Sequence, residues 1–237
     1  MTKHPVAANV VVTQNLPVAV PVRMPGATKG LVTISAPLSP SAEGVRVLRT
    51  HVQSQHLQLG RRALAVCGVG MGHGCSFVAA NLAVALAQID VATLLIDANL
   101  RDPGIEKYIP RPEGAIGGGL RACLRDLDTP ASQFIDEDVR PNLSILYAGG
   151  VAPDAQELLS RDRFEEVMNL CLRTYDATII DTPPANSSAD ALRVSNVAGY
   201  SLIVARKHHT LVSDVKTLVG HLNANRATVV GTVLNEP

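Results

Sequence analysis

The segment AVCGVGMGHGCSFVAANLAVALAQ, residues 65–88, passes from an apolar β-rich run through a glycine-dense turn into an alanine-rich apolar helix. Glycines let a backbone approach a phosphate group closely, and the first turn of a helix offers unpaired N–H groups and partial positive charge. The segment therefore predicts a strand, a phosphate-binding loop and a buried helix, around which the remaining elements are arranged.

The loop departs from the usual phosphate-loop pattern, G-x-x-x-x-G-K-[ST], at two positions. Gly74 and Ser76 match the pattern, whereas Val69 stands at the first glycine and Cys75 stands at the lysine. The chain thus has the architecture that cradles phosphate without the cation that usually completes it.

Composition bounds the class of protein. The 237 residues are 46% hydrophobic and 18% charged, which predicts a compact globular protein with one domain plus tails. The formal net charge is zero, which argues against a nucleic-acid-binding protein. The four cysteines lack metal-ligand spacing and no signal peptide is evident, so we expect reduced thiols and a cytoplasmic location.

The alternation of strands and helices predicts the fold. Residues 1–34 are expected to form a mostly extended tail with a short strand at 30–34, and residues 35–237 to form the domain. Continuous apolar runs are typical of strands covered on both faces. We therefore predict an α/β fold, doubly wound, with a mostly parallel sheet flanked by helices. Predicted strands lie at 63–66, 91–97, 143–148, 177–181, 200–205 and 227–234, and helices at 76–88, 155–174, 189–197 and 211–222, with a short helical pattern after a flexible triple glycine within 113–128.

Residues 35–58 predict an amphipathic helix with Ser41 as its N-cap. Val45, Leu48 and Val52 fall on one side. Glu43, Arg46 and Arg49 recur every three residues on the other side. These charges form either a solvated face or an oligomerisation face on which carboxylates and guanidinium groups pair between subunits.

Two carboxylates follow buried strands. Asp97 and Asp181 each end a predicted parallel strand, and the carboxyl ends of such strands meet where ligands bind. A serine hydroxyl and carboxylates suit Mg²⁺, so Ser76, Asp97 and Asp181 are the candidate metal ligands. The candidate nucleotide-binding residues are Gly72, His73, Gly74, Cys75, Ser76 and Phe77, and Asp97 and Asp181 are the candidate catalytic residues if the protein is active.

These motifs together resemble the cytoplasmic domain of bacterial tyrosine kinases, which belong with the MinD/ParA-like deviant-Walker ATPases. The resemblance covers about residues 35–235. It rests on GHGCSFVAANLAVALAQ for the phosphate loop and helix, LLIDANLRDP for the second acidic motif, YDATIIDTPPA for the Walker B segment and SPSAEGVRVLRT for the assembly helix. The resemblance implies binding of ATP or ADP with Mg²⁺, and it strengthens the oligomerisation reading of Glu43, Arg46 and Arg49, and hence a homo-oligomer.

Three departures from that family concern the phosphoryl-transfer reaction. Cys75 replaces the loop lysine, Asn99 replaces the second acidic residue, and no tyrosine follows Tyr200 where the family has a tyrosine-rich tail. We therefore expect weak nucleotide binding and inefficient catalysis. Three alternatives stay open. Arg101 or an arginine of a neighbouring subunit could replace the lysine, and protonated His73 could contact phosphate. Cys75 is either redox-sensitive or an inert small side chain.

The first hypothesis is a degenerate tyrosine-kinase-like protein that regulates or scaffolds exopolysaccharide synthesis and export. The resemblance implies a membrane-embedded polysaccharide co-polymerase, or chain-length regulator, as the partner that recruits the chain to the inner membrane. The second hypothesis is an active, divergent kinase or ATPase of the same pathway. A weaker third is a positioning ATPase of the MinD/ParA kind, for which the sequence offers neither a basic DNA-binding surface nor an amphipathic membrane helix after Leu234.

Overall fold

A single, mostly parallel sheet forms the centre of the molecule in the computed structural model, which describes residues 20–24, 30–114 and 117–236. Within these ranges the strands are β1 (Val20–Met24), β2 (Ala63–Gly68), β3 (Thr93–Asp97), β4 (Asp136–Arg140), β5 (Leu143–Leu146), β6 (Ala177–Asp181), β7 (Tyr200–Arg206) and β8 (Thr228–Asn235). Their order in the sheet is β1-β8-β7-β2-β6-β3-β5-β4. All neighbours are parallel except the edge strand β4, which is antiparallel to β5.

Helices cover both faces of this sheet. They are α1 (Val32–Ser35), α2 (Pro40–Gln55), α3 (Cys75–Ala87), α4 (Gly119–Arg125), α5 (Ala155–Ser160), α6 (Asp162–Thr174), α7 (Asp190–Ala198) and α8 (Val212–Ala224). Successive side chains of a strand point to opposite faces. Leu64 and Val66 of β2 accordingly pack with α2 and α3, whereas Ala65 and Cys67 pack with α4 to α7. The predicted α/β, doubly wound architecture is confirmed.

Helix α3, which follows the phosphate loop, is buried along most of its length. From Val78 onward every one of its residues is buried, and its alanines let it lie close to the sheet. The buried amide of Asn81 is satisfied, because its oxygen accepts from Val32 N–H (2.8 Å) and its nitrogen donates to the Phe77 carbonyl (2.9 Å). A polar residue within an apolar helix thus ties α1 to α3.

The N-terminal expectations need correction. The predicted strand at 30–34 is wrong, since Val32–Ser35 is a helical turn, and the strand lies earlier, at Val20–Met24 beside β8. Leu31 and Val32 are buried in the core, so part of the predicted tail, 1–34, packs into the domain. The rest of that tail, 1–19 and 25–29, lies outside the described residues.

The start of α2 also differs from the prediction. Its N-cap is Ser39, not Ser41, because Ser39 has extended backbone (φ −74°, ψ 153°) and its hydroxyl accepts from Ala42 N–H at 3.1 Å. Pro40 then takes the first helical position, where its missing N–H costs nothing. The predicted buried side is confirmed, with Val45, Leu48 and Val52 all in the core.

The triple glycine is a close-packed joint rather than a loose connection. Gly119 has φ of 69°, and a β-carbon there would lie 2.5 Å from the Tyr147 carbonyl oxygen. Leu120 N–H donates to that same oxygen at 2.7 Å, which fixes the start of α4 at the end of β5.

Among the described helices, none combines the length and apolarity that crossing a bilayer requires.

Candidate nucleotide-binding site

The carboxyl ends of β2, β3 and β6 meet at a cleft of about 460 Å³. Strand β6 lies between β2 and β3, so Asp181 is the register partner of both Val66 and Asp97. The loop that follows β2 and the two acidic strand ends are thereby brought together, as the sequence indicates. The six candidate nucleotide-binding residues, 72–77, all line the cleft.

The loop backbone leaves N–H groups free for a ligand. Gly72 and Gly74 have φ of 71° and 90°, left-handed values that residues with side chains rarely adopt. Gly74 caps α3 without any side-chain hydrogen bond, so the first-turn N–H groups of this 13-residue helix have no intrahelical partner. The loop therefore fits an anionic ligand such as a nucleotide phosphate.

Two residues at the ends of other strands donate hydrogen bonds to carbonyl groups of the phosphate loop. Asn235, at the end of β8, donates from Nδ2 to the His73 carbonyl at 2.9 Å. Arg206, at the end of β7, donates from Nη1 to the Gly72 carbonyl at 3.5 Å. A β-carbon on Gly74 would overlap the Asn235 amide, so that position requires glycine on steric grounds as well. The sequence reading missed both residues.

The Cys75 thiol is turned into the protein. A β-carbon on Gly68, at the end of β2, would lie 2.6 Å from its sulfur. The pKa of Cys75 is raised well above its ordinary value, mainly by burial and in smaller part by the nearby Asp181 and Cys67. The raised pKa favours a neutral thiol, which argues against the redox-sensitive interpretation, and the half-buried Cys75 packs as a small apolar side chain at the edge of the cleft.

His73 folds back over the loop. Its Nδ1 accepts from Gly70 N–H at 3.3 Å and lies 3.4 Å from the Thr210 hydroxyl. Burial and the charge of Arg206 lower its pKa, and an accepting Nδ1 requires the unprotonated nitrogen. The geometry thus argues against the protonated His73 that the sequence reading considered as a phosphate contact.

Ser76 and Asp181 form a pair that fits a divalent cation. The Ser76 hydroxyl donates to Asp181 Oδ2 at 2.5 Å, and the carboxylate is completely buried. Its other oxygen, Oδ1, is buried without a hydrogen-bond partner among the described residues. Burial and the adjacent Asp97 raise the Asp181 pKa well above its ordinary value. A hydroxyl beside an unpaired carboxylate oxygen matches the donor chemistry of Mg²⁺.

Asp97 is held by the segment that follows it. Its Oδ2 accepts from Gly104 and Ile105 N–H, both at 3.0 Å, and its Oδ1 accepts from Asn99 N–H at 3.2 Å. Burial raises its pKa to about 6, although these hydrogen bonds oppose the rise. Asp97 thus anchors the 3₁₀ turn Ile105–Lys107, and its predicted metal and catalytic roles stay predictions.

Asn99 and Arg101 are both engaged within the chain. Asn99 closes a turn, since its Nδ2 donates to the Asp102 carbonyl at 2.7 Å and its Oδ1 accepts from Asp102 N–H at 3.1 Å. Arg101 donates to the buried carboxylate of Asp190 from Nε at 2.7 Å and from Nη2 at 3.3 Å. Moving Arg101 toward a phosphate would leave Asp190 unpaired, which weakens the proposed rescue by this arginine.

Two of the three charged residues on the exposed face of α2 are paired within the chain. Arg46 bridges Glu43 at 3.0 Å and also donates to the Pro37 carbonyl at 2.6 Å. The Arg49 Nε is buried and lacks a hydrogen-bond partner among the described residues. An exposed i,i+3 ion pair contributes a few tenths of a kcal/mol, about 0.2–0.5. The oligomerisation role of Glu43, Arg46 and Arg49 stays a prediction.

Comparison of the sequence with known proteins finds no family model that matches, but it finds clear relatives. The chain is 30% identical over 200 residues to the tyrosine-protein kinase CapB of Staphylococcus aureus, covering 84% of this chain and 86% of CapB. It is also 30% identical over 199 residues to the tyrosine-protein kinase EpsB of Ralstonia solanacearum. Although the match covers 84% of this chain, it spans only 26% of EpsB.

Solved structures show the same fold. The kinase domain of the Escherichia coli tyrosine kinase ETK superposes with a TM-score of 0.82 at 26% identity, covering 92% of this chain and 90% of that domain. The septum site-determining protein MinD from Pyrococcus horikoshii, solved with Mg-ADP, gives a TM-score of 0.62 at 20% identity. That alignment covers 73% of this chain and 69% of MinD, and it speaks for the fold alone.

Proposed function

The chain belongs to the bacterial tyrosine-protein kinases, and from this we propose that it is a degenerate member that binds Mg-nucleotide weakly and acts as a regulatory or scaffolding partner. Kinases of this kind transfer a phosphoryl group mainly by positioning it and neutralising its charge. The proposal therefore depends on which parts of that machinery this chain retains.

One observation carries the proposal: the residue at the lysine position is Cys75, whose thiol bears no positive charge in either protonation state and whose sulfur packs against Gly68. Losing one charge-assisted hydrogen bond to phosphate costs roughly 1.5–3 kcal/mol, which is about 10- to 150-fold in affinity. Removing a group that stabilises transition-state charge typically costs a further 10²–10³ in turnover. Asn99, engaged in its own turn, does not supply the second carboxylate.

The retained features support binding. The uncapped start of α3 offers N–H groups to phosphate, and Ser76 and Asp181 would hold Mg²⁺. The rings of Phe77 and Tyr108, which line the cleft, pack edge to face with their centroids 5.9 Å apart. When bound, the metal would neutralise charge on the phosphates. These residues would bind and orient the nucleotide, whereas Cys75 cannot supply the positive charge with which a loop lysine assists phosphoryl transfer.

A calorimetric titration with ADP and Mg²⁺, paired with an ATP turnover assay, tests the proposal. We expect measurable weak binding that is lost in Ser76→Ala, together with turnover at least 100-fold below the roughly 1–100 s⁻¹ of kinases. Turnover within that range by the wild-type protein, abolished by Ser76→Ala, would instead favour the active, divergent kinase.

Partnership with a membrane protein is a second part of the proposal and rests on family resemblance. We propose that the chain docks on a membrane-embedded polysaccharide co-polymerase, so that it works at the inner membrane in exopolysaccharide synthesis, and that copies of it associate through α2. Co-purification with that membrane protein, and sedimentation of the purified chain, test these two points. Absence of the complex from the membrane fraction would contradict the first, and a monomer at all concentrations the second.

A further inference from the structure

The segment after β3 carries a lysine into the cleft. Lys107 ends the 3₁₀ turn Ile105–Lys107 and lines the cleft beside Tyr108. Of the described residues that line this cleft, Arg101 and Lys107 bear the long cationic side chains. Arg101 is already committed to Asp190 through two hydrogen bonds, which leaves Lys107 as the lining cation that a ligand could recruit.

The backbone of this turn is fixed against the phosphate loop. Asp97 accepts the N–H groups of Gly104 and Ile105, both at 3.0 Å. Gly104 packs directly on Ser76, since a β-carbon at Gly104 would lie 2.8 Å from the Ser76 β-carbon. The backbone of Lys107 is therefore fixed in position, because it lies three residues beyond a glycine that contacts the first turn of α3.

The Lys107 side chain remains available. It is 65% exposed, and its Nζ lies 3.6 Å from an Asp102 carboxylate that is itself 86% exposed. Such a surface pair contributes between about 0 and 1 kcal/mol, so little opposes its exchange for a phosphate. A flexible four-carbon stem then lets the ammonium follow a ligand.

We propose that Lys107 binds the terminal phosphates of the nucleotide, and so offsets in part, from the segment after β3, the loss of the cation at Cys75. This inference rests on the proposed function, since it requires that the cleft hold a nucleotide. It assigns Lys107 to binding, where a mobile cation suffices, whereas turnover needs the fixed cation of the loop.

Calorimetric titration with Mg-ADP tests the inference on the full chain. Lys107→Gln is expected to weaken binding about 10- to 150-fold, and Lys107→Arg to restore most of it. Lys216→Gln, which removes an exposed lysine on α8, serves as the matched control and is expected to change affinity less than twofold. The denaturation midpoint without nucleotide should not move in Lys107→Gln, which separates a binding role from a structural one.

A double variant sharpens the test. In a Cys75→Lys background the new loop lysine takes over the contact, so adding Lys107→Gln should cost less than threefold. If wild-type protein binds Mg-ADP and Lys107→Gln binds equally well, the inference fails while the proposed function stands. If the wild-type protein shows no binding at millimolar Mg-ADP, the proposed nucleotide binding fails and the inference falls with it.

Discussion

Replacing Arg101 with alanine is expected to destabilise the fold rather than to weaken nucleotide binding selectively. Asp190, its partner, is 1% exposed and accepts two hydrogen bonds from the guanidinium group, at 2.7 and 3.3 Å. Breaking a fully buried ion pair costs about 3–5 kcal/mol. Arg101 is 40% exposed, so solvent screens part of this interaction, and we expect about 2–3 kcal/mol.

Urea unfolding measures this loss, and for a chain of this size the melting temperature should fall by roughly 4–12 °C. Arg125→Ala is the matched control, because the side chain of its partner Asp154 is 41% exposed and that pair should contribute less than about 1 kcal/mol. Adding Asp190→Asn to Arg101→Ala should recover part of the loss by removing the stranded charge. A normal stability for Arg101→Ala, together with a tenfold loss of Mg-ADP affinity, would refute the reasoning and return Arg101 to the list of phosphate ligands.

Three further predictions follow from the packing. Burial lowers the pKa of His56 to about 4 in the folded protein, below the 6.5 of the unfolded chain. The free energy of unfolding should therefore be highest above pH 6.5 and should fall by up to about 3 kcal/mol toward pH 4. Urea titrations of His56→Phe should show a smaller dependence on pH. Asn235→Ala removes the donor to the His73 carbonyl and should cost about 1 kcal/mol in urea unfolding and weaken Mg-ADP binding in calorimetry, whereas unchanged affinity would contradict its positioning role. Glu43→Lys should shift any oligomer toward monomer in sedimentation velocity, while an unaltered oligomer would exclude pairing through this face.

The parts of the site that follow single strands were predictable from the sequence. Asp97 and Asp181 each end an apolar run, and parallel strands bring such ends to one edge. The glycine loop lies between a strand and a helix that both show clear patterns. The prediction of their proximity needed only the fold class, which the alternation of apolar runs supplies.

The supporting contacts were not predictable, because they depend on strand order. Asn235 contacts the loop from 162 residues away, and it can do so because β8 lies beside β7, which lies beside β2. Lys107 carries no pattern of its own, and only the hydrogen bonds to Asp97 bring its turn to Ser76. The strand β4 was missed because its exposed, acidic residues lack the apolar alternation of a half-buried strand.

The measurement closest to the central claim is single-turnover phosphoryl transfer from ATP with Mg²⁺, comparing the wild-type protein with the variant Cys75→Lys, Asn99→Asp. If the site is degenerate, the wild-type protein should bind nucleotide without turnover above background, and the variant should gain at least 100-fold in rate. Equal and kinase-like rates in both proteins would contradict the account, because they would mean that a residue other than the loop lysine already completes the site.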